Sequence, residues 1–181
     1  EVDELGINAG LQDRVIQVYE GCVYMDFNRE IMEQKNHGIY IPLDKSKLPK
    51  LYLAYKTSLS KVSGQSLNDI KVRYERGDPE VIACLNRIAE LAEEGKAAIE
   101  NGDEATLNRL INENFDNRKK IMTISESNQE MIDVARECGA SAKFAGSGGS
   151  IIGIYKDDAM LNRLIVNLKK INARVIKPYI V

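Results

Sequence analysis

The sequence predicts an α+β fold, a small antiparallel sheet packed on a helical bundle, and three observations predict it. Apolar residues recur at helical spacing across most of residues 66–139. Short segments of β-type content precede that helical stretch. Residues 141–181 then read strand, tight glycine turn, strand, helix, strand. No repeat and no low-complexity segment interrupts the order.

From the front of the chain, Leu11, Val15, Ile16, Val18 and Tyr19 fall at helical spacing, and Gly21 is placed to end that helix. "CVYMDF" (22–27), "GIYIPL" (38–43) and "KLYLAYK" (50–56) carry β-type residues and read as one small antiparallel sheet region. In the last of these, Leu51, Leu53 and Tyr55 share one face of an alternating strand. His37, beside Gly38 at a strand entrance, reads as a turn residue rather than a catalyst. "TSLSKVSGQS" is loop chemistry, and Ser66 is suited to cap the helix that starts "LNDIKVRYERG".

Asp78 as N-cap and Pro79 at the first helical position open a long helix with Val81, Ile82, Leu85, Ile88, Ala89 and Ala92 in one stripe, and Gly95 interrupts it without ending it. Asp103 opens the next helix, with Leu107, Leu110, Ile111 and Phe115 facing inward. "SESNQEMIDVARECG" is a shorter helix closed by Gly139. "SAKFAG" and "GSIIGIY" are strands, "DDAMLNRLIVNLKKIN" a helix and "ARVIKPYIV" a last strand.

Composition removes several classes of function. With 25 basic and 27 acidic residues the chain has a formal charge of −2 and lacks the electrostatic footprint of a nucleic-acid binder. Arg118-Lys119-Lys120 and Lys169-Lys170 read as helix ends, where positive charge complements the macrodipole. No apolar run approaches the roughly 20 residues of a membrane helix, and no leader pattern is present, so neither nucleic acid nor membrane is expected as partner and the chain reads as cytosolic. Cys22, Cys84 and Cys138 are odd in number and widely spaced, which supports neither a disulfide framework nor a zinc site; no metal-ligand set is expected.

Two stretches carry possible chemistry. In "AKFAGSGGSIIGIY", Gly146, Gly148 and Gly149 alternate with Ser147 and Ser150, where a strand connection needs only one or two glycines. Such a run can point consecutive backbone N–H groups at one anion, or it can be an ordinary hairpin. No G-x-x-x-x-G-K-[ST] pattern is present, and the turn leads into a strand rather than a helix. In "GLQDRV", Asp13 next to Arg14 is either a helix-start charge or a carboxylate that orients or deprotonates an attacking hydroxyl, kept ionised by its neighbour.

Taken in order, "GLQDRVIQVYEGCVYMDF" and "GASAKFAGSGGSIIGIY" resemble two motifs of the GHMP small-molecule kinase superfamily. The likeness is greatest to sugar kinases of the glucuronokinase type, through "GLQDR", "MDF", "HGIY", "ELAEEGKAAI", "NFDNRKK" and "KFAGSGG", and less to bacterial heptose-phosphate kinases. The resemblance implies a GHMP-kinase-like C-terminal α+β domain over residues 51–181, preceded over residues 1–50 by a helix and strands of an incomplete N-terminal kinase domain. It implies ATP and Mg2+ as cofactors and phosphorylation of the anomeric hydroxyl of a sugar or sugar acid such as glucuronate.

Residue by residue, the resemblance implies Asp13 as the catalytic aspartate and Arg14, Lys61, Ser63, Asn114 and Arg118 on the substrate side. It implies Lys143, Gly146, Ser147, Gly148 and Gly149 as the loop bordering the transferred phosphate. Ala145 stands where these kinases usually carry Thr or Ser. The family's P-x-x-x-G-L-[GS]-S-S-A-like nucleotide loop is absent, so the missing N-terminal kinase portion would be a necessary partner and the chain alone a poor catalyst. A noncatalytic sugar- or phosphate-binding domain of the same fold, a heptose-phosphate kinase, and a helical interaction protein whose turn is only a turn are the alternatives.

Overall fold

The computed structural model describes residues 11–56 and 64–180 and divides the chain into two compact units, residues 1–47 with 179–181, and residues 48–178. In the first unit, helix α1 (Leu11–Tyr19) leads to β1 (Cys22–Asp26), α2 (Arg29–Lys35) and β2 (Ile39–Leu43). The α1 helix stops where Glu20, at φ 57°, precedes Gly21 at φ 64°. Strands β1 and β2 pair antiparallel, with Cys22 opposite Leu43 and Asp26 opposite Ile39.

The α2 helix was not anticipated. Its N-cap is Asn28, whose Oδ1 accepts from the N–H groups of Glu30 at 3.0 Å and Ile31 at 3.4 Å. Left-handed Asn36 closes it, donating its N–H to Met32 O at 2.9 Å. His37 is exposed in the turn that follows, its Nδ1 2.8 Å from Gly38 O.

The second unit comprises β3 (Leu51–Lys56), α3 (Gly64–Glu75), α4 (Pro79–Asn101), α5 (Glu104–Ile121), α6 (Glu126–Glu137), β4 (Lys143–Phe144), β5 (Ser150–Ile154), α7 (Asp158–Lys170) and β6 (Ala173–Ile176). Its four strands form one antiparallel sheet in the order β4-β5-β3-β6. The expectation of a single sheet region joining β1, β2 and β3 is therefore corrected: β3 is a central strand of the second sheet. Its pairing partners lie about 100 residues downstream, and local alternation says nothing about such partners.

One face of this sheet is the core. Tyr52 and Ala54 of β3, Phe144 of β4, Ile151 of β5 and Ala173 of β6 are buried against Phe115 of α5, Met131, Ile132 and Ala135 of α6, and Leu164 and Leu168 of α7. Leu51, Leu53 and Tyr55 do share a face, but it is the half-buried one. Tyr52 belongs to the buried face because its hydroxyl is satisfied there, donating to Ser141 O at 2.9 Å. Gly153 permits the close approach behind this bond, since a Cβ there would collide with the Ser141 carbonyl.

The helical layer follows its caps. Asp78 accepts from Glu80 and Val81 N–H, Asp103 from Thr106 and Ser125 from Asn128. Helix α3 begins at Gly64, two positions before the expected cap Ser66. Helix α4 runs unbroken through Gly95, which is buried with Leu107 of α5 alongside. Between α4 and α5, Leu91 and Ala98 meet Leu110, and Val81 and Cys84 meet Ile121.

Arg87 ties α4 to α5 by donating to Glu113 at 2.7 Å, and within α4 it also donates to Glu94 at 2.6 Å and Glu90 at 3.0 Å. These bonds hold the Glu94 and Glu113 carboxyls below the usual carboxylate range. A depressed folded value stabilises above the unfolded value of about 4.3 and is lost as pH falls through the folded value. We therefore expect Tm to fall more steeply between about pH 5 and about pH 3 in the wild-type protein than in Arg87→Met. Equal slopes in thermal melts would show that the cluster adds nothing to stability.

Candidate functional site

The site is built on the β4–β5 hairpin. Ala145 N–H donates to Ser150 O at 3.0 Å and closes the turn. Gly148 and Gly149 have φ of 137° and 79°, values that L side chains rarely adopt, so both glycines are required by the backbone. Gly146 is not: its φ is ordinary, and an added Cβ would meet nothing within 4 Å. The N–H groups of Gly146, Ser147 and Gly148 take no hydrogen-bond partner among the described residues. Free donors beside an unfilled space are what an approaching oxyanion requires.

Three elements hold the turn in place. Helix α6 supplies Asn128, whose buried Oδ1 accepts from Gly149 N–H at 3.0 Å. Strand β3 supplies the Lys56 N–H, which donates to Gly149 O at 3.2 Å. The Lys56 side chain, only 8% exposed, donates to Ser127 Oγ at 2.9 Å and pairs with Glu130 at 3.0 Å, binding the strand to α6. Helix α5 supplies Arg118, whose Nη1 donates to Gly146 O at 3.1 Å. Below the turn, Asn112 Oδ1 accepts from Ala142 N–H at 2.9 Å, and Arg136 donates to the carbonyls of Asn112 and Ala142.

The local field is positive. Arg118 lies 5.7 Å from the Phe144 ring centroid, and Lys143 Nζ donates to Phe144 O at 3.2 Å. Burial lowers the pKa of both cations, and the charge of Arg118 lowers that of Lys143 further.

The structure thus brings together Arg118, Lys143, Gly146, Ser147, Gly148 and Gly149. Asn114, one helical turn before Arg118, is half-buried, and its side chain makes no hydrogen bond among the described residues. Asp13, exposed in the first turn of α1, and half-buried Arg14 belong to the first unit, whereas the glycine turn belongs to the second. Lys61 and Ser63 lie outside the described residues. Asn112, Asn128 and Lys56 were missed in the sequence. An Asn early in a helix reads as cap chemistry, and nothing local marks it as a partner of a backbone N–H 21 residues away.

No cluster of three or more His, Cys, Asp or Glu side chains able to hold a metal ion occurs among the described residues. None of the helices among them is long and apolar enough to cross a membrane.

Residues 96–173 match the family described as GHMP kinases C terminal. The chain is 45% identical over 152 residues to Glucuronokinase 1 of Arabidopsis thaliana, an alignment covering 82% of this chain and 42% of that protein. It therefore spans under half the length of this curated relative. Among solved structures, Lactococcus lactis galactokinase complexed with galactose superposes with a TM-score of 0.69 at 15% identity, covering 99% of this chain and 56% of that one. A D-glycero-D-manno-heptose 1-phosphate kinase from Bacteriodes thetaiotaomicron gives 0.65 at 21% identity, covering 98% and 48%. These likenesses establish the α+β fold of the second unit as that of a GHMP kinase C-terminal domain.

The unequal demands on the glycines separate a turn from a site. Gly148→Ala is expected to lower stability by about 1 kcal/mol or more, because the backbone must strain or rearrange. Gly146→Ala is expected to leave Tm unchanged and to weaken phosphate binding measured by calorimetry. Unaltered phosphate affinity in Gly146→Ala would reduce the glycine run to hairpin chemistry.

Proposed function

We propose, from the match of residues 96–173 to the GHMP kinase C-terminal family, that the chain is the C-terminal portion of an ATP-dependent sugar kinase acting on the anomeric hydroxyl of a uronic acid such as glucuronate. The observation that carries this reading is the 45% identity to Glucuronokinase 1 over 82% of the chain. In this proposal residues 1–50 are part of the N-terminal kinase domain and residues 51–181 form the C-terminal domain. The remaining N-terminal portion would supply the main cradle for ATP. The enzyme would work in the cytosol, where thiols such as those of buried Cys84 and Cys138 stay reduced.

The residues divide the work as phosphoryl transfer requires, by positioning and charge neutralisation. Asp13 orients the acceptor hydroxyl and takes its proton as the oxygen attacks the γ-phosphorus and the bond to the ADP leaving group breaks. Arg14, Lys61, Ser63 and Asn114 hold the sugar. The free N–H groups of Gly146, Ser147 and Gly148 face the charge that builds on the transferred phosphoryl oxygens. Mg2+, brought by the nucleotide rather than held by a carboxylate cluster of the described residues, would supply charge neutralisation on the phosphates. Ala145 contributes its backbone to the turn but no hydroxyl, so phosphate contact there falls to main-chain donors.

In the full-length protein, Asp13→Asn is expected to lower kcat by about 100-fold or more, the scale of a lost general base, while Tm stays constant. A panel of glucuronate, galacturonate, galactose and heptose phosphate should show glucuronate turned over fastest. Unchanged turnover in Asp13→Asn would remove that carboxylate from the chemistry, and a neutral sugar as best acceptor would overturn the uronic-acid assignment.

A further inference from the structure

Among the described residues, the partly buried cations of the second unit are paired to carboxylates, with the exception of one adjoining pair. Arg73 pairs with Asp78 and Glu80, Arg87 with Glu90, Glu94 and Glu113, Arg136 with Asp116, and Lys56 with Glu130. The exception is Arg118 with Lys143, which form no ion pair among the described residues. Neighbouring acids on α5 are already engaged, Asp116 by Arg136 and Glu113 by Arg87 and Arg109.

The two cations nonetheless converge on one residue. Arg118 covers the Phe144 ring at 5.7 Å and spends only Nη1, on Gly146 O at 3.1 Å. Nε and Nη2 are left without partners among the described residues. Lys143 spends one proton on Phe144 O at 3.2 Å. Holding two like charges together while stripping them of water costs free energy, and no anion among the described residues pairs with either to offset it. The bond from Nη1 to Gly146 O also sets the guanidinium beside the Gly146, Ser147 and Gly148 N–H groups, which take no partner among the described residues.

The geometry points to an oxyanion subsite beside the glycine turn in which Arg118 and Lys143 receive the acidic group of the acceptor, so that this pair selects an acidic over a neutral sugar. Arg118 offers the planar fork that suits a carboxylate or a phosphate, and Lys143 offers a point charge. The subsite itself stands on the unpaired cations; naming a sugar acid as its ligand rests on the kinase reading.

Titration calorimetry of the full-length protein with glucuronate, glucose and inorganic phosphate tests this, using wild type, Arg118→Gln, Lys143→Gln and the double variant. We expect each single variant to bind glucuronate about tenfold more weakly, the scale of one charge-assisted hydrogen bond, with glucose affinity unmoved. Arg118→Lys should recover part of the loss. Loss of phosphate affinity with glucuronate affinity kept would assign the subsite to the transferred phosphate, and the sugar-acid selection would be overturned. Equal affinity of wild type and double variant for both anions would overturn the subsite altogether. A fall in Tm with unchanged anion affinity would do the same, by showing that the cations pair with a carboxylate of the protein. Where a glutamine variant fails to fold, nitrogen-15 spectra of the wild type must show the Arg118 or Lys143 side chain shifting on glucuronate addition; unmoved signals refute the proposal. The kinase reading fails separately, if no sugar of the panel is phosphorylated by the protein with ATP and Mg2+, whatever the anion titrations give.

Discussion

The edge-on contact of Phe144 with Phe115, 5.2 Å between ring centroids, is the anchor from which the rest of the site is measured. Burying a phenylalanine is worth about 1.5–3 kcal/mol and an aromatic pair about 1 kcal/mol more, so the last residue of β4 cannot drift. The chain leaves the sheet at the next residue, Ala145. Above the same ring lies Arg118, and from the same residue hangs the carbonyl that Lys143 holds. One buried side chain thus places the start of the turn and both cations beside it.

The opposite end of the hairpin is fixed by polar contacts of comparable strictness. Ser141 Oγ accepts from Ile154 N–H at 3.0 Å while its carbonyl accepts from the Tyr52 hydroxyl, and Gly153 leaves the room this needs. Asn128 and the Lys56 backbone then hold Gly149 from two sides. Each of these groups is satisfied within the protein, which a buried polar group requires. Among the described residues the donors of Gly146, Ser147 and Gly148 are left over, in a segment whose ends are hydrogen-bonded at Ala145 and Gly149. Preorganised donors of this kind cost no rearrangement when charge arrives.

Charge is distributed to the same effect. Arg87 engages Glu90 and Glu94 within α4 and Glu113 across on α5, Arg109 reaches back to Glu94, and Arg136 takes Asp116. In the basic run that ends α5, Lys119 and Lys120 are exposed, as expected of a helix end, whereas Arg118 is half-buried and turned to the hairpin. Three adjacent basic residues look alike in sequence; a rotation of 100° per residue on the helix separates them. Among the described residues, the acids nearest Arg118 on α5, Glu113 and Asp116, are paired elsewhere, and the positive charge at the turn is what remains.

The helices of the second unit were legible because their causes are local: Asp78 before Pro79, Asp103 at its cap, and apolar stripes at helical period. The hairpin was legible for the same reason, since glycines at positive φ announce a turn. What the residues alone could not carry was pairing at a distance. They did not reveal that β3 joins β5 and β6 rather than β1 and β2, that Tyr52 and not Leu53 faces the core, or that Asn128 reaches Gly149. Amino-acid order by itself determined the longer helices of the second unit, the caps Asp78 and Asp103 and the glycine turn, each of which depends on backbone preferences within a few residues, and left the short α2 unread. Only the tertiary structure decided which side chains surround that turn, because burial and the competition for hydrogen-bond and charge partners are settled between segments far apart in the chain.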